Sequence, residues 1–217
     1  MQSYLDPRVG AVALALLVAT PGLAQTDLVT NGSFELDVGV LGWEPVEDDT
    51  LLSLEFDPAD VDDREDSGSA RVTFKHFIGF VPPVHVTQCV AVHPGRTYTG
   101  SLSFLIPTGQ NRPGSAALRV AWHESSDCRD PARFAFGNSG DQVGDWTELA
   151  PFDFVVPDDI FGAEVQLEVK KDVTGSTLFV LFDEVMFVPE PSPSLGGLTA
   201  LFGVAGVARW KRLRARC

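Results

Sequence analysis

The sequence predicts an all-β fold, an antiparallel β-sandwich, and three observations carry that expectation. Between residues 25 and 188, apolar and polar positions alternate in short runs rich in β-branched residues, and Gly, Pro, Asp and Asn separate the runs. Helical periodicity is nearly absent, which leaves no helices to connect parallel strands. The segment of about 165 residues is long enough for eight to ten strands around one substantial core.

The runs can be taken in order. Residues 47–66 form an acidic stretch, and its part Asp57-Pro58-Ala59-Asp60-Val61-Asp62-Asp63 lacks the glycine and closing glutamate of an EF-hand, so it reads as a solvated loop. Residues 71–74 and 84–92 read as strands. His93-Pro94-Gly95-Arg96 is turn chemistry, because Pro and Gly supply the dihedrals a reversal needs. Further strands are expected at 98–104, 117–122, 146–156, 163–170 and 177–188. No internal repeat and no linker divides the region. The last strand is almost wholly apolar except for Asp183 and Glu184. If alternation holds, one of these carboxylates points inward, where it needs hydrogen-bond donors, an Arg partner or a metal.

Both ends carry a different signature. Arg8 precedes an apolar run at 9–19, and the small residues Gly22 and Ala24 suit a signal peptidase. Residues 1–24 are therefore expected to be a signal peptide cleaved after Ala24; the run falls short of the about 20 apolar residues that span a bilayer. At the other end Pro189-Glu190-Pro191 precedes an apolar stretch at 195–208 and a basic cluster at 209–216. The basic cluster holds that end in the cytoplasm and sends everything upstream outward. As a helix the apolar stretch would rise about 21 Å, a marginal permanent anchor and a workable temporary one. An ordinary tail anchor is the alternative.

Removing both ends takes away six of the 16 basic residues and one of the 30 acidic ones, leaving ten against 29 and a charge of −19. Such a body disfavours nucleic acid and anionic lipid, which demand Lys and Arg, and is compatible with cations and neutral glycans. Of three cysteines, Cys217 lies in the basic end. Cys89 and Cys128 remain as an even pair in an oxidising compartment, and a disulfide between them is expected, against two separate buried thiols. Closing that loop contributes roughly 4 kcal/mol in the chain-entropy model.

The order of Pro-Glu-Pro, short apolar helix and arginine-rich end over 188–216 resembles the PEP-CTERM sorting signal. The resemblance implies that an exosortase cuts near Pro189, Glu190 and Pro191. The domain would then pass from transient inner-membrane anchorage to the cell surface or extracellular matrix, touching membrane only through the helix at 195–208.

A second resemblance covers the body at 25–188. Asn31-Gly32-Ser33-Phe34-Glu35 is followed by Gly42-Trp43 and Asp66-Ser67-Gly68-Ser69-Ala70-Arg71-Val72. Then come Val92-His93-Pro94-Gly95-Arg96-Thr97-Tyr98, Asp145-Trp146-Thr147 and Phe182-Asp183-Glu184-Val185. This ordered set resembles carbohydrate-binding modules with a galactose-binding-like jelly roll. It implies a structural calcium held by Glu35, by Glu65 or its neighbour Asp66, and by Asp183, and an extracellular polysaccharide as partner. Three carboxylates with backbone carbonyls would meet the six to eight oxygens calcium takes.

Aromatic faces are the usual platform for sugar rings. Trp122, Phe134 and Phe136 are the candidates, with Phe77 and Phe80 beside them; burial is the competing role for Trp122. Trp43 and Trp146 are expected in the core. His76, His85, His93 and His123 follow no metalloprotease or zinc spacing, and no Gly-x-Ser-x-Gly elbow or phosphate loop occurs. The expected function is therefore non-catalytic binding of extracellular polysaccharide. A structural or adhesive matrix protein without a glycan site is the alternative, and a small hydrolase a distant third.

Overall fold

The computed structural model describes residues 26–47, 50–75, 82–110, 114–133, 135–172 and 174–191. Among them ten strands form two five-stranded sheets: β1 (Glu44–Pro45), β2 (Leu52–Asp57), β3 (Ser69–Phe74), β4 (Val84–Ala91), β5 (Thr97–Leu105), β6 (Gly114–His123), β7 (Ala135–Gly140), β8 (Thr147–Val155), β9 (Gly162–Lys171) and β10 (Leu178–Pro189). The first sheet runs β1-β4-β9-β6-β7 and the second β2-β3-β10-β5-β8, with every strand pair antiparallel. The sequence therefore ends up as a jelly-roll sandwich, as its patterning predicts. The expected signal peptide at 1–24, the apolar run at 195–208 and the basic end lie outside the described residues. No helix among the described residues is long and apolar enough to cross a membrane.

Alternation explains the layers. On β4, Val84, Val86 and Val90 face the other sheet while His85, Thr87, Cys89 and Ala91 face outward. Tyr98, Phe104, Phe154 and Phe187 from the second sheet fill the interior against Trp122, Leu118 and Leu167 from the first. Phe154 is central: Trp122 meets it edge-on at 6.2 Å and Phe187 at 5.7 Å, while Tyr98 stacks on Phe187 at 5.1 Å. Each such ring contributes roughly 1.5–3 kcal/mol by leaving water. Trp43 lies in this core as expected, but Trp146 is only half-buried. It sits just before β8, an edge strand of the second sheet.

The seven expected strands are present with small shifts at their ends, and three were not anticipated. β2 lies inside the acidic stretch: Leu52-Ser53-Leu54-Glu55-Phe56 alternates, and pairing with β3 outweighs the surrounding charge. β7 is poor in apolar residues and exists through its pairing with β6. The expectation of a solvated loop at 57–63 holds at Pro58, Asp62 and Asp63, which are exposed, and fails at Asp60. Asp60 is 5% exposed because the segment folds back over the outside of the second sheet, where the Val61 N–H donates to Asp183 Oδ2 at 3.1 Å.

The register of β10 on β5 slips between Asp183 and Met186, and Glu184 takes a φ of 48°. This bulge carries the acidic pair. Phe182 enters the core, Asp183 is buried on the opposite face of the strand, and Glu184 is half-buried. The opening motif docks on the same bulge, for the Val185 N–H donates to the Gly32 carbonyl at 3.0 Å. A Cβ at Gly32 would stand 2.0 Å from the Val185 carbonyl oxygen, so only glycine permits the approach.

Candidate functional site

The outward face of the first sheet carries an ordered set of polar side chains. In register, His85, Thr87 and Cys89 on β4 lie beside Glu168, Gln166 and Glu164 on β9. Those lie beside Ala117, Arg119 and Ala121 on β6. The two alanines leave room for the long side chains to reach across the sheet. His85 Nδ1 is 3.2 Å from Glu47 Oε1, and its Nε2 is 3.2 Å from Glu168 Oε2. Arg119 Nη2 donates to Glu168 Oε1 at 3.2 Å, and the His85 N–H donates to Glu47 Oε2 at 2.8 Å.

Burial alone would lower the His85 pKa, but the hydrogen bonds and charges of Glu168 and Glu47 outweigh it and raise the pKa to about 9. Both ring nitrogens therefore donate at neutral pH. Burial would raise Glu168, yet His85 and Arg119 hold it below the usual glutamate range. The result is a charged row, Glu47–His85–Glu168–Arg119, with each member fixed by its neighbour.

Beside this row lies a cleft of about 660 Å³. Thr87, Cys89 and Ala91 of β4 form its floor; Thr30, Gly42 and Glu44 form one wall, and Asp127, Cys128 and Glu164 the other. Gln88 fastens the first wall. Its Oε1 accepts from the Thr30 N–H at 2.7 Å and Oγ1 at 3.1 Å, and its Nε2 donates to the Thr30 and Gly42 carbonyls at 2.9 and 3.2 Å. The opposite wall is the β6–β7 loop, pinned by the Cys89–Cys128 disulfide with Cα atoms 6.0 Å apart. Asp130 tightens this loop by accepting from the Glu124 and Ser125 N–H groups. Gly162 lets the loop lie close, since a Cβ there would be 2.2 Å from the Ser125 carbonyl oxygen.

The residues singled out in the sequence fall in several places. Trp122 is 2% exposed and points into the sandwich against Phe154, so it takes the burial role expected for a large aromatic on a strand, and its candidacy as a ligand platform is corrected. Phe136, on the edge strand β7 of the same sheet, is 46% exposed and lies away from the cleft. Phe134, Phe77 and Phe80 lie outside the described residues. Pro189 closes β10 opposite Tyr98, the Glu190 N–H donates to the Thr97 carbonyl at 2.9 Å, and Pro191 is exposed.

The three carboxylates expected around a calcium ion do not converge. Glu35 accepts from Ser33 Oγ at 3.0 Å, Glu65 and Asp66 are exposed, and Asp183 is buried beside Asp60. Among the described residues no group of three His, Cys, Asp or Glu side chains is placed to hold a metal. Burial first, and the Asp60 and Glu184 charges after it, push the Asp183 pKa up to about 6, against hydrogen bonds from the Val61 and Glu184 N–H groups. Asp60 Oδ2 is buried and makes no hydrogen bond. Asp60 was missed because an aspartate in an acid-rich segment gives no sequence sign of burial. The polar positions 85, 164, 166 and 168 were legible as the outward half of two alternating strands, but their partners were not.

No protein-family model matches the chain, and no curated protein does. Solved structures share the fold. The CBM22-1 xylan-binding domain of Xyn10C from Paenibacillus barcinonensis superposes with a TM-score of 0.53 at 13% identity, over 78% of this chain and 97% of that one. The enzymatically active domain of tailspike protein 4 from bacteriophage CBA120 gives 0.55 at 16% identity, over 75% of this chain and 21% of that one. An arabinose-bound GH51 α-L-arabinofuranosidase gives 0.55 at 17% identity, over 78% of this chain and 27% of that one. This chain thus spans about a fifth to a quarter of the two longer proteins and nearly all of the xylan-binding module. Its fold is that of the β-sandwich carbohydrate-binding modules.

Proposed function

We propose that the domain is an exported, non-catalytic glycan-binding sandwich that holds extracellular polysaccharide on the outer face of its first sheet. The carrying observation is the charged row Glu47–His85–Glu168–Arg119 beside a walled cleft, a fixed set of donors and acceptors on one face of the molecule. Sugar hydroxyls are read by such pre-placed groups at low ordering cost. The likeness to a xylan-binding module supports the reading. Affinity electrophoresis of the mature protein through gels containing neutral and charged polysaccharides tests it. At least one polymer should retard the protein, and Arg119→Ala or Glu168→Gln should abolish that retardation while the far-UV spectrum stays unchanged. Retardation by none would favour the matrix-adhesion alternative.

Two further parts of this reading concern processing and metal. Signal peptidase and an exosortase would trim the chain near Ala24 and near Pro189-Glu190-Pro191, leaving the domain at the cell surface or in the matrix. Mass spectrometry of both ends of the mature protein checks this, and intact ends would remove it. Calcium would act at Asp183 with Asp60, whose buried Oδ2 makes no hydrogen bond, has the Arg64 guanidinium 3.7 Å away, and lies beside a like-charged neighbour. Glu35 and Glu65 would have to move to join them. Calcium should raise the melting temperature and chelator should lower it.

A further inference from the structure

We propose that Cys89–Cys128 is a thiol–disulfide exchange site, where an external dithiol opens the bridge and releases one wall of the cleft while the sandwich stays folded. The bridge stands on the outside of the molecule. Cys89 lies on the outward face of β4 and is exposed, Cys128 is half-buried on the β6–β7 loop, and both line the cleft. A small thiol therefore reaches the sulfurs from solvent, and access of this kind distinguishes a reducible bridge from one sealed in a core. Neither cysteine belongs to the apolar cluster that joins the two sheets, so opening the bridge leaves that packing in place.

The loop's remaining bonds explain why the release is local. Asp130 accepts from the Glu124 and Ser125 N–H groups, the Arg129 N–H donates to Ser125 Oγ at 3.3 Å, and the Cys128 N–H donates to the Ser125 carbonyl at 3.4 Å. All of these lie within 124–130. The base of the loop is held at the start of β9, where the Phe161 N–H donates to the His123 carbonyl at 3.0 Å. Toward β4 the case differs. Among the described residues, the disulfide is joined there only by the 3.6 Å approach of Cys89 Sγ to the Ser126 carbonyl oxygen, a weak bond once the sulfur is a thiol. Cys128 also takes a φ of 54°, the left-handed region that a Cβ disfavours, and reduction lets this backbone relax.

The chemistry balances with one dithiol. Its thiolate attacks the exposed Cys89 Sγ, and the S–S bond breaks with Cys128 leaving as a thiolate that takes a proton from water. The reagent's second thiol then attacks the mixed disulfide and frees Cys89. The dithiol ends as a cyclic disulfide, having given two electrons and two protons to the protein.

Dithiothreitol, a neutral dithiol, is the probe, applied to the mature protein in native buffer and in urea, with alkylation and peptide mapping of Cys89 and Cys128. Native reduction should run within about tenfold of the rate in urea. A bridge opened only by global unfolding would be slower by the folding constant, about a thousandfold or more, and that result would overturn the proposal. In dithiothreitol, hydrogen exchange at 124–130 should quicken about tenfold or more while β6 and β9 keep their protection. Unchanged exchange in the loop, or lost protection throughout the sheets, would also overturn it. The double variant Cys89→Ser, Cys128→Ser should show the fast loop exchange without reductant and no further response to it. These readouts need no ligand, so they stand apart from the glycan-binding reading. Reduction should also lessen any retardation by polysaccharide. Retardation that persists with a freed loop would remove this wall from the binding site and leave the exchange chemistry standing.

Discussion

Single residues set the pH response of this molecule. His85 is held protonated between Glu47 and Glu168 with a folded pKa of about 9, above its unfolded value of about 6.5. The raised pKa means that its stabilising contribution is fully present below pH 6.5 and is lost as the pH rises through 9. Urea titrations should therefore show stability falling by on the order of 1–3 kcal/mol between pH 6.5 and 9.5, and His85→Gln should flatten that slope. Asp183 is a buried carboxylate against Asp60 with its pKa raised to about 6, so it too costs stability as the pH rises, here because its charged form is the disfavoured one. Asp183→Asn removes the charge that burial penalises but leaves one of the Val61 and Glu184 N–H groups without an acceptor, so stability in calcium-free buffer at pH 7 should change by no more than about 1 kcal/mol. The same variant should blunt any response to calcium. A thermal melt with and without chelator reads both effects. Trp122 and Phe136 separate cleanly at this scale. Trp122→Ala opens a cavity against Phe154 and should cost about 3–5 kcal/mol, whereas Phe136→Ala, on a half-exposed edge, should cost about 1 kcal/mol or less.

The loop between β6 and β7 and the bulge in β10 are the elements on which the site depends. The loop is tied to β4 by Cys89–Cys128 and to its own base by Asp130. Cys128→Ser should lower stability by roughly 2–4 kcal/mol. It should also weaken oligosaccharide binding more than thermal stability at 25 °C, because one wall of the cleft loosens; calorimetry beside a denaturant curve resolves the two. Much of this level was legible beforehand. Reading 84–92 and 163–170 as strands implies one face with Val84, Val86, Val165 and Leu167 and another with His85, Glu164, Gln166 and Glu168, and the structure buries the first set in the sandwich. β2 and β7 were not legible, since acidic or glycine-rich composition masks a strand whose support is the neighbour it pairs with. The bulge was hidden too: strict alternation in 178–188 gives no sign that Glu184 adopts a positive φ and that the register shifts so that Val185 and Phe187, not Glu184, enter the core.

At the level of the whole molecule, charge and topology dominate. With ten basic and 29 acidic residues between Gln25 and Pro191, the folded body repels itself. Monovalent salt should raise the melting temperature by a few degrees, the reverse of what an ion-pair-stabilised surface would show. The order of apolar and polar residues by itself determined a two-layered β structure, its outward and inward faces and an anionic exterior, because these follow from local period and composition. It also determined which two cysteines were available to pair. Only the tertiary structure decided that Glu47, His85, Glu168 and Arg119 stand in one row and that Asp60 lies against Asp183. His85 lies 83 positions from Glu168, and Asp183 lies 122 from Val61, whose loop covers it. Which distant strands become neighbours is fixed by packing the two sheets together, and no local pattern encodes that choice.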